Sequence, residues 1–283
     1  MILFKKVNDI HKWIESQREK QKKIGFVPTM GALHQGHISL IDVSTGTNDK
    51  TIASIFVNPI QFNDPSDFEK YPVTIEKDIQ LLEQAGCDAL FLPSVNEIYP
   101  QGFPVKQHYD LGYIETILEG EYRPGHFQGV CAVVHRLLTI TIPDNLYLGQ
   151  KDYQQCMVLK KMTEITNLSP VPALNICPTL REEDGLAMSS RNTRLNADER
   201  KKATNIFQAL VLLKNTIQPG NLEKLINEGL QNLEEAGFKP DYLVISDAKT
   251  LEPVIEWDGK RKIVALTAAY LNEIRLIDNM LLN

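Results

Sequence analysis

The chain has 283 residues, of which 43% are hydrophobic and 23% charged, a composition typical of a globular protein with one or two domains. Its formal net charge of −6 argues against a general nucleic-acid binder and against a membrane-surface protein. The amino-terminal region contains no long uncharged apolar segment, so we expect no signal peptide, no membrane span and a cytoplasmic location.

The four cysteines favour the same location. Cys87, Cys131, Cys156 and Cys177 are widely spaced, form no CxxC pair and have no flanking histidine cluster. Small secreted proteins with disulfide frameworks are shorter and much richer in cysteine. We therefore predict buried free thiols in a reducing cytosol.

The first clear strand and helix flank a short turn. Residues 24–28 are apolar and predict a buried strand, and the glycine-bearing residues 29–33 predict a turn. Apolar residues at helical spacing follow, which predicts a helix beginning at His37. β-Branched residues and a glycine at 43–47 disfavour a helix interior, so we expect this helix to be short.

Strand-like and helix-like segments alternate through the first two-thirds of the chain. Gly86 follows one helical segment at the position expected for a helix C-terminus. This alternation predicts an α/β fold with a Rossmann-like parallel sheet wrapped by helices, which binds ligands at the carboxyl ends of its strands. We predict further strands at 51–57, 89–92, 145–148 and 171–177, and helices at 74–85, around 130–138 and at 153–166.

Composition changes after Arg194, which indicates a second and smaller α+β domain. Asn196 is a plausible cap for a helix that reaches about residue 216. We predict domain boundaries at 1–177 and 178–283. Within the second domain we predict a further helix at 222–233, ended by Gly237, and strands at 242–246 and 263–271.

The most informative local feature is the run His34-Gln35-Gly36-His37, which lies at the start of the first predicted helix of the sheet. A helix N-terminus carries unpaired backbone N–H groups and partial positive charge, so it favours anions and phosphate above all. Two imidazoles there add hydrogen bonds to oxygens whose charge grows during phosphoryl chemistry. The run therefore predicts nucleotide chemistry.

Four further polar clusters lie in predicted loops, three of them directly after strands. Catalytic groups concentrate on such loops because the sheet holds them rigidly while the side chains stay accessible. The clusters are residues 58–62, 119–127, 149–155 and 181–192.

At these residues the sequence resembles the pantothenate synthetase (pantoate–β-alanine ligase) family of the HxGH nucleotidyltransferase superfamily. The resemblance covers essentially the whole chain, and the matching motifs occur in the family's order and spacing. In addition to the histidine motif, they are PTMGALH at 28–34, FVNP at 56–59, RPGHF at 123–127 and MSSRN at 188–192.

The resemblance implies a two-step reaction. ATP and pantoate first form pantoyl adenylate and pyrophosphate, and the amine of β-alanine then displaces AMP. Mg²⁺ is expected on the ATP phosphates, and no dedicated metal cage is expected in the protein. The family also implies a homodimer, with no nucleic-acid or membrane partner.

The resemblance also implies roles for individual residues. The residues implied in catalysis are His34, His37, Lys151, Ser189, Ser190 and Arg191. Those implied in ATP binding are Met30, His37, Gly149, Lys151, Asp152, Met188, Ser189, Ser190 and Arg191. Met30, Gln61, Gln155 and Asn58 are implied in binding pantoate and β-alanine, and Glu119 and Arg123 in a loop that closes over the site.

Each of these residues also has a plainer interpretation. His34 and His37 could be helix caps or core residues, and Lys151 could be an ordinary surface lysine. Glu119 and Arg123 could form a solvent-exposed ion pair, which contributes little to stability. For the whole chain, the alternatives are another nucleotidyltransferase and a nucleotide-binding regulator without catalysis. Three positions differ from the usual family residue: Ala132 replaces threonine, Leu148 replaces phenylalanine and Gln150 replaces glutamate.

Overall fold

A computed structural model of the chain describes residues 1–62, 68–103 and 107–283. It contains two compact units. The first consists of Met1–Gly149 and Gln155–Pro178, and the second of Gln150–Gln154 and Thr179–Asn283. The short segment Gln150–Gln154 thus belongs to the second unit although the chain before and after it belongs to the first.

The first unit is built on a six-stranded parallel sheet in the order β1-β4-β3-β2-β5-β6. The predicted Rossmann-like parallel sheet is confirmed, and the edge strand β1 is an addition that was not predicted from the sequence. The strands are β1 (Ile2–Phe4), β2 (Ile24–Thr29), β3 (Lys50–Ile55), β4 (Ala89–Phe91), β5 (Asn145–Gly149) and β6 (Ala173–Cys177). The helices are α1 (Val7–Glu19), α2 (Gln35–Thr47), α3 (Ile75–Gln84), α4 (Val95–Ile98), α5 (Glu119–Tyr122), α6 (His126–Thr141) and α7 (Tyr153–Ile165). Single 3₁₀ turns lie at Pro59–Gln61 and Gly112–Glu115.

Successive strand residues face opposite sides of the sheet, so two hydrophobic cores form. Phe26 packs in one core with residues of α1, α6 and α7, and Val27 packs in the other with residues of α2 and α3. The inner strands β2, β3 and β4 are buried on both faces and read as largely apolar runs, which explains why they were predictable from the sequence.

The helix α2 corrects two predictions. It begins at Gln35 rather than His37, and it runs 13 residues to Thr47 rather than ending early. Tertiary contacts outweigh the weak intrinsic propensity of its last turns. The Ser44 hydroxyl lies 2.8 Å from that of Thr51, and the Thr47 hydroxyl lies 2.5 Å from that of Tyr147.

The second unit is a smaller α+β arrangement, as predicted. Its main sheet is antiparallel in the order β11-β10-β8, and a two-stranded ribbon pairs β7 with β9. The strands are β7 (Gly220–Asn221), β8 (Lys239–Asp247), β9 (Glu256–Trp257), β10 (Ile263–Leu271) and β11 (Ile274–Leu281). The helices are α8 (Ala197–Ala203), α9 (Asn205–Thr216) and α10 (Glu223–Glu235), and 3₁₀ turns lie at Gln150–Asp152 and Ser190–Arg194.

Several local predictions for this unit are confirmed, and one is wrong in detail. Asn196 caps α8 by accepting hydrogen bonds from the backbone of Asp198 and Glu199. Gly237 follows α10 with a φ of +90°. The predicted single helix to about residue 216 is instead two helices, since Thr204 separates α8 from α9.

The predicted environment of the cysteines is confirmed. All four are free and buried. None of the helices in the described part of the chain is long and apolar enough to cross a membrane.

Candidate active site

The order of strands in the first sheet marks where a ligand is expected. From β2 the chain proceeds to β3 and β4 on one side, and it then returns to β5 on the other side of β2. In open α/β sheets, ligands bind outside the carboxyl ends of the strands at such a switch point. The His34 motif follows β2, residues 58–61 follow β3, and Gly149 ends β5.

The two histidines form a reciprocal cap on α2. His34 is the N-cap residue, and its Nδ1 accepts a hydrogen bond of 3.1 Å from the backbone N–H of Gly36. His37 Nδ1 in turn accepts from the backbone N–H of His34 at 3.3 Å. Because Nδ1 is the acceptor in both rings, the Nε2 atom carries the hydrogen when the imidazoles are neutral.

This cap reconciles two interpretations of the histidines. The plain interpretation, a helix-capping role, is confirmed for His34. The same bonds fix the ring orientations, and the ring centroids of His34 and His37 lie only 4.1 Å apart. The cap therefore places two neighbouring imidazoles, each with its hydrogen on Nε2 when neutral, at the N-terminus of a 13-residue helix.

The loop before His34 is held by a buried carboxylate that sequence reasoning missed. Asp78 on α3 is fully buried, and its two oxygens accept hydrogen bonds from the backbone N–H groups of Ala32 (2.9 Å) and Leu33 (2.8 Å). Thr74 donates a third bond of 3.0 Å. Ala32 has a φ of +49°, a strained conformation for a residue with a side chain. The hydrogen bonds from Asp78 thus offset the backbone strain at Ala32, directly before the histidine motif.

Gln61 and Met30 come together in the first unit. Gln61 ends the 3₁₀ turn after β3, and its Nε2 lies 2.9 Å from the thioether sulfur of Met30. The Gln61 side chain is buried. A thioether is a weak acceptor, so this amide keeps most of its capacity for a stronger hydrogen-bonding ligand.

Asn58 lies deeper than the other predicted substrate-binding residues. It is fully buried, it donates to the Gly129 carbonyl at 3.0 Å, and it accepts from the Tyr99 hydroxyl at 3.2 Å. Burial raises the pKa of Tyr99, which keeps this hydroxyl protonated as a donor. Asn58 therefore attaches the segment after β3 to α6.

A chain of polar contacts leads from Glu119 to Gln61. Arg123 Nη1 lies 3.9 Å from a Glu119 oxygen and 3.2 Å from His126 Nε2, and His126 Nδ1 lies 2.8 Å from the Gln61 carbonyl oxygen. Arginine only donates, so His126 Nε2 accepts and its Nδ1–H donates, which requires a neutral ring. Sequence reasoning assigned no role to His126, although it lies in the RPGHF motif.

The same contacts correct the plain interpretation of Glu119 and Arg123. Their side chains are only 11% and 25% exposed, so the pair is not a solvent-exposed ion pair. The predicted loop here also contains a short helix, α5.

Gly149 and Gln155 are the remaining predicted site residues in the first unit. Gly149 ends β5, and its carbonyl accepts a hydrogen bond from the Cys156 thiol at 3.4 Å. Gln155 lies in the first turn of α7 and is partly exposed.

Lys151 and Asp152 belong to the second unit. The Lys151 ammonium lies 3.7 Å from an Asp152 oxygen, and its side chain is only 18% exposed. The interpretation of Lys151 as an ordinary surface lysine is therefore wrong. Asn279 on β11 donates hydrogen bonds to the backbone carbonyls of Gln150 (2.9 Å) and Lys151 (2.8 Å).

The MSSRN motif forms a capped turn in the same unit. Ser189 Oγ accepts from the Arg191 backbone N–H at 3.2 Å and caps the 3₁₀ turn Ser190–Arg194. Met188 directly precedes it, and its backbone N–H donates to the Leu180 carbonyl at 3.1 Å. Two hydroxyls and a guanidinium thus share one short, locally stabilised segment.

Among residues 1–62, 68–103 and 107–283, no three His, Cys, Asp or Glu side chains form a group suited to hold a metal ion.

Comparisons with known proteins agree with this geometry. Residues 2–281 match the family model described as Pantoate-beta-alanine ligase. The chain is 44% identical to the pantothenate synthetase of Caldicellulosiruptor saccharolyticus, over 99% of this chain and 99% of the relative. It is 42% identical to that of Cytophaga hutchinsonii, over 100% of this chain and 99% of the relative.

Solved structures agree as well. The crystal structure of pantothenate synthetase from Thermus thermophilus matches with a TM-score of 0.87 and 38% identity, covering 100% of this chain and 99% of that one. A crystal structure of pantoate-beta-alanine ligase from Francisella tularensis, complexed with beta-gamma ATP and beta-alanine, has a TM-score of 0.81 and 40% identity, covering 100% of this chain and 98% of that one. The resemblance read from the motifs is confirmed, and the chain belongs to the pantoate–β-alanine ligase family.

Proposed function

We propose that this protein joins pantoate to β-alanine with ATP, and releases pantothenate, AMP and pyrophosphate. The observation that carries the proposal is the adjacent His34–His37 pair at the N-terminus of α2, beside the switch point of a parallel sheet. Membership of the pantoate–β-alanine ligase family over residues 2–281 supports the choice of substrates.

The reaction has two balanced steps. A carboxylate oxygen of pantoate attacks the α-phosphorus of ATP, and the bond to pyrophosphate breaks. The neutral amine of β-alanine then attacks the carbonyl carbon of pantoyl adenylate, the bond to AMP breaks, and the nitrogen gives up one proton to water or to the departing phosphate. Adenylation is needed because a carboxylate is a poor acyl donor, whereas AMP is a good leaving group. Holding the reactants side by side makes each attack effectively unimolecular.

In this proposal, His34 and His37 stabilise the first transition state. Negative charge grows on the phosphate oxygens as pyrophosphate leaves, and preorganised donors stabilise that charge without reorganisation. Support comes from the backbone bonds to both Nδ1 atoms, which fix Nε2 as the donor in each ring. The partial positive charge at the N-terminus of α2 acts in the same direction.

Gln61, Gln155 and Met30 are assigned to pantoate. An amide both donates and accepts, so it suits a molecule that presents hydroxyl and carboxylate oxygens together. The buried contact between Gln61 and Met30 supports this role, because it holds the amide beside an apolar side chain. Asn58 is assigned to the neighbourhood of the β-alanine amine. Its hydrogen bonds to Gly129 and Tyr99 fix the orientation of its side chain there.

The nucleotide is assigned to two segments of the second unit together with Gly149 and Met30. Lys151 supplies a compact positive charge for the α-phosphate, and Asp152 a carboxylate for the ribose hydroxyls. The departing pyrophosphate is assigned to the segment after Met188. There the hydroxyls of Ser189 and Ser190 donate hydrogen bonds to it, and the Arg191 guanidinium donates charge-assisted ones. The low exposure of the Lys151 side chain supports its role, since a charge that is largely shielded from water interacts more strongly with phosphate than an exposed one.

Glu119 and Arg123 are assigned to a loop that covers the reactants. Support comes from their linkage through His126 to the Gln61 carbonyl, which connects this loop with the proposed pantoate residue. A closed, dry site protects the adenylate from hydrolysis.

Mg²⁺ is proposed to arrive with ATP. In this proposal the nucleotide phosphates are its main ligands, because Mg²⁺ prefers oxygen ligands and usually binds through substrate phosphates. When bound, the ion neutralises phosphate charge during the attack.

A homodimer in the cytoplasm completes the proposal. Among the described strands, β6 lies at the edge of the sheet beside β5, and it presents Ile176 at 37% exposure, with Val171 shortly before it at 55%. Edge strands with exposed apolar residues pair readily with another chain. The four free thiols suit a reducing compartment.

The decisive measurement is AMP formation from ATP and pantoate by the purified protein, with and without β-alanine. Turnover that requires both substrates is expected. Exchange of labelled pyrophosphate into ATP with pantoate alone tests the first step separately. Exchange without β-alanine-dependent turnover would reject the second substrate, and no reaction with pantoate would reject the ligase activity.

A further inference from the structure

The last strand carries two consecutive buried polar residues, Asp278 and Asn279. A strand of a sheet covered on one face normally alternates apolar and polar residues. Burying a carboxylate and an amide in succession costs free energy unless both are fully hydrogen-bonded. Apolar residues at these two positions would stabilise the sheet at least as well. The hydrogen-bond partners of Asp278 and Asn279 therefore indicate what the two residues do.

Asn279 holds the backbone on both sides of the Lys151 α-carbon. Its Nδ2 donates to the carbonyl oxygens of Gln150 at 2.9 Å and Lys151 at 2.8 Å, which uses both hydrogens of the amide. Its Oδ1 accepts from the Gln150 side chain at 3.3 Å. One side chain thus fixes the 3₁₀ turn that carries Lys151.

Asp278 and Arg181 hold Asn279 in turn. Arg181 binds both Asp278 oxygens, at 2.6 and 3.0 Å, and donates to the Asn279 carbonyl at 3.3 Å. The Asn279 backbone N–H donates to Asp278 at 2.7 Å. Arg181 also donates to the Gly185 carbonyl at 3.0 Å. The network therefore anchors the strand to the loop that leads to Ser189.

The pKa of Asp278 reflects both its burial and its contact with Arg181. Burial raises the pKa of Asp278, whereas the hydrogen bonds and charge of Arg181 lower it. The positive charge of Lys151 also acts on this carboxyl.

We propose that Asn279 is a positioning residue for nucleotide binding, which acts through the backbone of Lys151. Asn279 itself does not touch the nucleotide in this proposal. Bidentate restraint by Asn279 keeps the Lys151 ammonium aligned with the α-phosphate, and small misplacements of such groups cost about 10²-fold in rate. The proposal rests on the proposed function for the identity of the ligand as ATP and for the contact between Lys151 and the α-phosphate.

The test compares Asn279→Leu with a matched control. Leucine keeps a similar volume but donates no hydrogen bonds. The control is Thr267→Val on β10, since Thr267 is also fully buried, is the register partner of Asp278 and donates to the Tyr242 carbonyl. The probe is Mg²⁺–ATP alone, titrated calorimetrically onto the full chain, with thermal unfolding recorded for both variants.

We expect Asn279→Leu to weaken ATP binding about 10- to 100-fold and Thr267→Val to leave it unchanged. In a Lys151→Met background, Asn279→Leu should cause no further loss, because both substitutions remove the same interaction. ATP affinity equal to wild type, or losses that multiply in the double variant, would overturn the proposal. Pantoate affinity serves as a second control and should not change.

A milder substitution keeps the test decisive if Asn279→Leu does not fold. Gln150→Met removes only the side-chain bond to Asn279 from a partly exposed residue, and we expect a loss of ATP affinity of about threefold to tenfold. Unchanged affinity in this variant would contradict the proposal. ATP titration needs no turnover, so failure of the ligase activity and failure of this positioning role are separate outcomes.

Discussion

Asp78 lies 2.8 Å from the backbone nitrogen of Leu33, the residue directly before His34. The second oxygen of the same carboxylate binds the backbone N–H of Ala32. A buried acid on α3 thus determines the path of the loop that presents the histidines, although it lies more than 40 residues away in the chain.

Asp78→Asn tests this relationship. The amide puts an N–H group where one of two backbone N–H donors needs an acceptor, so we expect a loss of about 1–3 kcal/mol in the free energy of unfolding. Adenylation should slow because the His34 loop loses its restraint. Urea unfolding and pyrophosphate exchange measure the two effects. Glu15→Gln, at an exposed position in the middle of α1, is the control and should match wild type.

His37→Ala is expected to lower the rate of pantoate-dependent pyrophosphate exchange by about 10²- to 10³-fold, the usual cost of one preorganised donor. The fold should persist, because the hydrogen bond between His34 Nδ1 and Gly36 remains as a cap on α2. Circular dichroism checks the fold. His108→Ala, at an exposed position, is the matched control. Equal exchange rates in both variants would refute the role of His37.

Two glycines give opposite predictions for the same substitution. A Cβ on Gly129 would lie 2.6 Å from the Ile60 carbonyl and 2.8 Å from the Gln61 Cα. Gly129→Ala must therefore displace the 3₁₀ turn that carries Gln61, and we expect a raised KM for pantoate and lower stability.

Gly46→Ala is its counterpart within α2. A Cβ there meets no described atom within 4 Å, so alanine should raise stability by up to about 1 kcal/mol through its higher helix propensity, with unchanged KM. Chemical denaturation and steady-state kinetics on both variants check the pair. A pantoate KM that stays the same in Gly129→Ala would show that Gln61 tolerates this displacement.

The buried thiols should react slowly. Burial raises the pKa of Cys87 and of Cys131 to about 12 each. Only about 10⁻⁴ of each thiol is then ionised at pH 8, and the thiolate is the reactive form. We expect negligible modification by iodoacetamide in the native protein and complete modification in urea, as measured by mass spectrometry. Rapid native labelling of either residue would contradict this burial.

A fall in pH should weaken the ion pair between Asp184 and Arg200, which lies close to the MSSRN motif in the sequence. Hydrogen bonds from Arg200 lower the pKa of Asp184 below its ordinary 3.8. A lowered carboxyl pKa stabilises the folded state above pH 3.8, and the stabilisation is lost as the pH falls through the lower folded value. Both side chains are partly exposed, so the contribution is at most about 1 kcal/mol.

Arg200→Gln should flatten this part of the pH profile. Urea unfolding at pH 5, 4 and 3 should show a smaller loss of stability in the variant than in wild type. Lys201→Gln, on the next residue of α8, is the charge-matched control and should keep the wild-type slope. Identical slopes in all three proteins would exclude a contribution from the Asp184–Arg200 pair.

Local chemistry made much of the fold predictable. The strands of the parallel sheet are largely apolar, Gly86 has the φ of +75° that a helix end requires, and Asn196 caps α8 as its sequence indicates. Each of these features depends on residues adjacent in the chain. The His34 motif likewise identified a helix N-terminus, although the helix begins two residues earlier because His34 itself is the cap.

The sequence by itself determined the α/β class, the free buried thiols and the family, because periodicity, burial preference and ordered motifs are written along the chain. Only the tertiary structure decided which distant groups hold the motifs. In the sequence, Asp78 is one polar residue among several in a predicted helix. The strand β11 was not predicted, and the polar pair Asp278–Asn279 interrupts the alternation of apolar and polar residues that indicates a strand. Their partners lie far away in sequence, and a hydrogen bond between distant segments leaves no periodic signal in either one.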